Sequence, residues 1–249
     1  MSIAGEISNI KIWNINNFEL LLNIEKINID GYISSSCFLN DFNQNYILTS
    51  DSTEISNPES IKVFDFSGNQ IKEIEDSKKE TFFIDTYYEE NNHKIYIITG
   101  NDGYIQVYDY NNNKLMQKYC HNSNKCHNSI IIYKKDLKTK IIESSEDGKI
   151  RIWNFHSGKL LQKIQVSNNA LYGICLWDEE YIFVGCNDNS IKLVELSTSK
   201  IINSLEGHNE IVLTVKKINH PQYGDCLLSQ GFKESNLILW SNKSKFNEK

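Results

Sequence analysis

Ile141-Ile142-Glu143-Ser144-Ser145-Glu146-Asp147-Gly148-Lys149-Ile150-Arg151-Ile152-Trp153-Asn154 is the stretch that decides how this chain folds. It opens on apolar residues, passes through a polar turn, and returns with apolar side chains in alternation up to an indole. Alternation of period two marks a half-buried strand. Asp-Gly tolerates the positive φ that a tight hairpin demands, so two antiparallel strands meet there. Beyond the indole, Asn154-Phe155-His156-Ser157-Gly158 is a second polar turn, and Lys159-Leu160-Leu161 starts a further strand. With one more strand before Ile141, the unit reads as four short antiparallel strands.

The same unit recurs. Short alternating strands, mostly ending on an aromatic residue, occupy Ile10–Trp13, Ile61–Phe64, Ile105–Tyr108, Ile150–Trp153, Ile191–Val194 and Leu237–Trp240, at intervals of 41 to 51 residues. Three of the four tryptophans fall on this one position, which chance does not arrange. The preceding turn is kept in Thr99-Gly100-Asn101-Asp102-Gly103 and in Gly185-Cys186-Asn187-Asp188-Asn189. No stretch shows helical periodicity over the ~10 residues a helix requires. Tandem four-stranded units of this period predict an all-β chain, a β-propeller of about six blades. One blade cannot bury both of its faces, so several must lean on one another.

The pattern Asp-x-x-Ile-x-Ile-Trp-Asn from Asp147 to Asn154, with the Gly207-His208 pair opening the last copy, resembles the WD-repeat (tryptophan–aspartate repeat) propeller family. The resemblance covers nearly the whole chain. It implies a buried relay joining the Trp to a strand Ser or Thr, a turn Asp and the His of the Gly-His pair. Such polar atoms need partners inside a blade. Carried over, the fourth copy supplies Trp153, Asp147 and His127, with Ser144 or Ser145 as hydroxyl. The last supplies Trp240, His208 and Ser229, with Glu234 where Asp is usual. The third keeps Asp102 and Thr99 but has Tyr108 for Trp, and the fifth keeps Asp188 but has Val194. In the second copy Asp51 is separated from its strand by an insertion, Ser52 to Ser60, that must loop out.

Composition narrows the function. Of 26 basic residues only Arg151 is arginine, and the net charge is −6, so neither a nucleic acid nor another polyanion is an expected partner. A related class of propellers reads phosphoinositides through paired arginines, which this chain lacks. No apolar run reaches the ~20 residues of a membrane helix. The N-terminus lacks the layout of a secretory signal, and six scattered cysteines beside apolar runs read as buried thiols. A cytoplasmic setting follows, with a nuclear one as its variant.

Motifs for chemistry are weak. Cys120-His121 and Cys126-His127 offer zinc four ligands by spacing, but Cys126-His127-Asn128 aligns with Gly207-His208-Asn209, which commits His127 to the fold. Walker, Gly-x-Ser-x-Gly and His-Glu-x-x-His patterns are absent. The pairs Glu75/Asp76, Glu89/Glu90 and Glu179/Glu180 read as solvated turn charge. No cofactor, metal or catalytic residue is expected, and the chain is not expected to be an enzyme.

The expected role is a scaffold that binds other proteins. In the family the turn before the aromatic-ended strand and the loop entering each blade form the usual binding side. By position this selects Tyr32, Asn101, Ile130, Glu146, Ala170, Asn187, Ile211 and Lys233. At the chain's ends, Ile3-Ala4-Gly5 reads as a remnant strand before Trp13, and Trp240 is followed by a polar tail, 242–249. Four full blades then lie between two three-stranded ones over residues 1–241. The ring is open and completed by a partner strand, or belongs to a longer propeller, or closes by a pairing not evident in the sequence.

Overall fold

A computed structural model describes residues 9–14, 17, 19–25, 31–53, 60–75, 81–101, 103–120, 125–135 and 138–241; at 31, 32, 51–53, 75 and 135 the backbone alone is described. Every regular element among them is a β-strand. The chain divides into two compact units, Met1–Cys126 and His127–Lys249.

In the first unit β1 (Ile10–Trp13) pairs with β2 (Leu20–Ile24). A four-stranded sheet follows from β3 (Gly31–Asn40), β4 (Asn45–Thr53), β5 (Ser60–Asp65) and β6 (Gln70–Glu75). A second is built from β7 (Thr81–Glu89), β8 (Lys94–Asn101), β9 (Tyr104–Asp109) and β10 (Lys114–Cys120). Ile3–Gly5 lies outside the described residues. Of the stretch expected to loop out, Ser52 and Thr53 instead continue β4 and Ser60 opens β5, while residues 54–59 lie outside the described residues.

The second unit repeats the plan. One sheet comprises β11 (His127–Lys135), β12 (Lys138–Ser145), β13 (Lys149–Asn154) and β14 (Leu160–Gln165). The next comprises β15 (Leu171–Leu176), β16 (Tyr181–Cys186), β17 (Ser190–Glu195) and β18 (Lys200–Glu206). The last has three described strands, β19 (Val212–His220), β20 (Gly224–Gly231) and β21 (Leu237–Trp240). All pairings are antiparallel between chain neighbours, as two- to five-residue turns require.

Sheets pack face to face through apolar seams. Ile150, Ile152 and Ile164 meet Ile182, Val184 and Val194 in the second unit. In the first, Leu48, Ile61 and Val63 meet Ile84, Ile97 and Tyr108. Each buried aliphatic side chain contributes about 1.5–3 kcal/mol. The third strand of each complete sheet is covered on both faces; the fourth exposes its first residues, as at Leu160, Leu161, Ile201 and Ile202. A repeated bulge accompanies the anchor: the register slips at Ile12/Trp13, Val63/Phe64, Ile152/Trp153 and Leu193/Val194. A bulge there adds local twist to the outer strand.

The turn chemistry read from the sequence is realised. Gly103, Gly148 and Asn189 all have positive φ. At Gly148 a Cβ would also lie 1.9 Å from the carbonyl oxygen of Ser167, so no side chain fits. Gly185 is constrained by packing instead: a Cβ there would meet the Val212 carbonyl oxygen at 2.3 Å, which lets the two last sheets approach closely.

Candidate interaction surface and its buried supports

In the β19–β21 sheet a directed run of hydrogen bonds crosses the strands. The Trp240 indole N–H donates to Ser229 Oγ at 2.7 Å, and Ser229 Oγ lies 2.7 Å from His208 Nε2. His208 Nδ1 bonds to the Glu234 carboxylate, which also accepts the Asn209 backbone N–H at 2.7 Å. A carboxylate can only accept, so Nδ1–H donates to Glu234, and Ser229 Oγ bridges the indole to Nε2. The bond from His208 holds the Glu234 carboxyl below its usual range. Glu234 therefore fastens the turn between β20 and β21 to the entry into β19.

The β11–β14 sheet places the corresponding residues differently. His127 Nδ1 lies 2.7 Å from Glu143 Oε2, with both side chains fully buried. Arg151 Nη1 reaches Glu143 Oε1 at 3.1 Å, and the same guanidinium binds the Asp147 carboxylate. Lys149 adds a bond to Asp147 at 3.0 Å. Ser144 turns its hydroxyl to the Tyr172 carbonyl, and Ser145 is fully buried beside it. The histidine–aspartate link expected between His127 and Asp147 is thus corrected: Glu143 bonds His127, and Arg151 joins Glu143 to Asp147. The cause is Arg151, buried on β13 directly opposite Glu143 on β12, because a buried guanidinium demands carboxylates around it. Burial alone would lift the Asp147 carboxyl, but its bonds to Arg151 and Lys149 outweigh that and hold it low. Sequence reasoning missed Glu143. The signal was there: opposite charges at paired positions flanking an Asp-Gly hairpin.

Among the other relay residues, Asp102 lies outside the described residues. Thr99 is fully buried, and Tyr108 nearly so. Asp188 accepts from Ser190 and faces Lys192 at 3.6 Å, so it serves its own turn.

The candidate contact residues divide. Asn101 is fully buried and its amide donates to Gln106 Oε1 at 3.3 Å; Ile130 is buried too. Neither offers a surface to a partner, because Asn101 ends β8 and Ile130 lies within β11, each with its side chain turned into the sheet packing. The side chain of Tyr32 lies outside the described residues. Glu146, Ala170 and Ile211 are half-buried, and Asn187 and Lys233 are exposed. The last two stand on turns pinned by backbone bonds from Asn187 N to Ala170 O (3.0 Å) and from Phe232 N to Ile211 O (2.7 Å). Of the carboxylates read as turn charge, Glu89 instead ends β7, is buried, and accepts from Asn92 and Tyr96. His121 lies outside the described residues.

No family model and no curated protein matches this chain. Solved structures do. The WD40 β-propeller domain of Doa1 superposes with a TM-score of 0.73 at 16% identity, over 95% of this chain and 74% of that one. The computationally designed Ika8 protein gives a TM-score of 0.63 at 17% identity, over 94% of this chain; the chain spans 65% of that protein's length. The fold is that of a β-propeller built from antiparallel sheets.

Proposed function

We propose that the chain is a WD-repeat propeller over residues 1–241, with a polar tail over 242–249, and serves inside the cell as a non-catalytic platform for other proteins. One observation carries this reading: His127, Glu143, Asp147, His208 and Glu234 of the β11–β14 and β19–β21 sheets are engaged in fastening turns. What remains outward is a rim of short, rigid turns, including Glu146, Asn187 and Lys233, suited to presenting a few strong contacts. Propellers of the WD40 type, to which this fold is similar, are commonly such platforms and typically not enzymes. Buried thiols at Cys175, Cys186 and Cys226 fit a reducing compartment.

The test is affinity purification with mass spectrometry from cells expressing the wild type or the combined variant Glu146→Lys, Asn187→Lys, Lys233→Asn. Partners are lost at unchanged melting temperature if the rim binds them; retention of every partner refutes the reading. A second reading has its own observation: β21 has no strand on its outer edge among the described residues, and Leu237 on it is 59% exposed. An assembly subunit completed there by a partner strand self-associates alone and becomes monodisperse with its partner.

A further inference from the structure

The other end of the sheets, where first and second strands meet, carries an aromatic cluster in the first unit. Phe42, in the β3–β4 turn, is 63% exposed and has φ +73. A bulky side chain in the left-handed region is an outlier that the surroundings must impose. Here the turn imposes it: Asn40 Oδ1 accepts the Phe42 N–H at 2.9 Å, and Asp41 Oδ1 accepts those of Asn43 and Gln44 at 3.0 Å. The Phe42 ring meets Tyr88 edge-on at 4.5 Å, and Tyr88 Oη lies 2.7 Å from His93 Nδ1. His93, in the β7–β8 turn, is itself left-handed with φ +56 and exposed. Two neighbouring four-stranded sheets thus each hold an exposed ring on a strained turn.

The charge around it is one-sided. Asp41 and Asp65 accept hydrogen bonds from their own turns and have no ion-pair partner among the described residues. Register places Asp65 opposite Tyr46, beside the β3–β4 turn. The nearby cations are occupied: Lys94 pairs with Asp109 at 3.3 Å, and Lys72 binds the Tyr110 carbonyl and sits over that ring.

We propose that Phe42, Tyr88 and His93 form a docking surface for a basic segment of a partner protein, an aliphatic or aromatic side chain resting on the Phe42 ring and a flanking lysine or arginine facing Asp41 and Asp65. Exposed aromatic patches rimmed by charge mark protein-interaction sites, and a cation gains from both the carboxylates and the ring faces. This surface shares no residue with the turns at Glu146, Asn187 and Lys233, so the two are tested by different variants.

The experiment uses the intact chain panned against a displayed library of random linear peptides, with enriched peptides measured by fluorescence polarisation. Phe42→Gly removes the ring and relieves the left-handed strain, so the variant melts no lower than wild type. The expected peptides carry lysine or arginine beside an apolar residue, bind Phe42→Gly about tenfold or more weakly, and lose salt dependence against Asp41→Asn. The proposal is overturned if enriched peptides show no basic excess, if Phe42→Gly binds them equally, or if no binder sensitive to Phe42 emerges. Phe42-dependent dimers in sedimentation overturn it as well, since they put a second copy of the chain on this surface.

Discussion

In the β19–β21 sheet the histidine that enters the repeat, His208, sits in a hydrogen-bonded run of indole, hydroxyl and imidazole that ends on one carboxylate. In the β11–β14 sheet His127, at the corresponding position, sits in a cluster of two carboxylates, a guanidinium and an ammonium. The repeat therefore prescribes a task, fastening a hairpin turn to the strand entry, and leaves the chemistry open. The two solutions differ in what they risk. Removing a member of the first costs the one or two hydrogen bonds it made. The ion network leaves an uncompensated buried charge, which is far costlier.

The largest effect is accordingly expected from Arg151→Met, which strands Glu143 and Asp147: about 3–5 kcal/mol in urea unfolding. Replacing Glu143 by Leu in the same chain recovers part of that loss, because an apolar pair packs without desolvation cost. A loss below about 1 kcal/mol for the single variant, the range of surface pairs, would show that the network is not buried as described. Next come the anchors. Trp153, 4% exposed, is expected to cost about 3–5 kcal/mol on replacement by Ala. Lys159→Ala on the following turn stays within about 0.5 kcal/mol. Trp240 is only half-buried, so Trp240→Ala falls between them. Equal melting temperatures for Trp153→Ala and Lys159→Ala would remove the anchor from the core. Smaller again is Ser229→Ala, about 1–3 kcal/mol, since it leaves the Trp240 N–H and His208 Nε2 without their shared hydroxyl.

Much of this is legible in the sequence. Repeat spacing and alternation give the sheets, and Asp-Gly and Asp-Asn give turns that do adopt positive φ at Gly103, Gly148 and Asn189. Bulges beside the anchors were not legible, because inserting one residue into a pairing changes register without changing composition. Nor was the fate of Asp147. Motif position alone puts Asn101 and Ile130 among the turn contacts, because it locates a residue along the strand and says nothing of which way its side chain points. Asn101 ends β8, whose side chains are covered on both faces, and Ile130 lies within β11 with its side chain in the packing. Phe42 went unnoticed for the opposite reason: nothing in Asp41-Phe42-Asn43 announces which residue of the turn takes the left-handed conformation.

Acid sharpens the comparison with the smallest effect. Asp147 and Glu234 both have carboxyls held below their ordinary values of 3.8 and 4.5 in the folded chain. A carboxyl depressed on folding lends stability that is complete above its unfolded value and lost as pH falls through its folded one. The melting temperature is thus level from neutral pH down to about pH 5, and declines below about pH 4. Asp147→Asn and Glu234→Gln each lower the plateau and flatten the acid limb, because the group whose proton uptake drives the decline is gone. Asp147→Asn lowers the plateau more, since the amide cannot neutralise the buried guanidinium of Arg151, whereas in Glu234→Gln the amide oxygen still accepts a hydrogen bond from His208 Nδ1–H. A melting temperature that rises between pH 5 and pH 3, or an acid limb that neither variant changes, would assign the turns some other fastening than these two carboxylates.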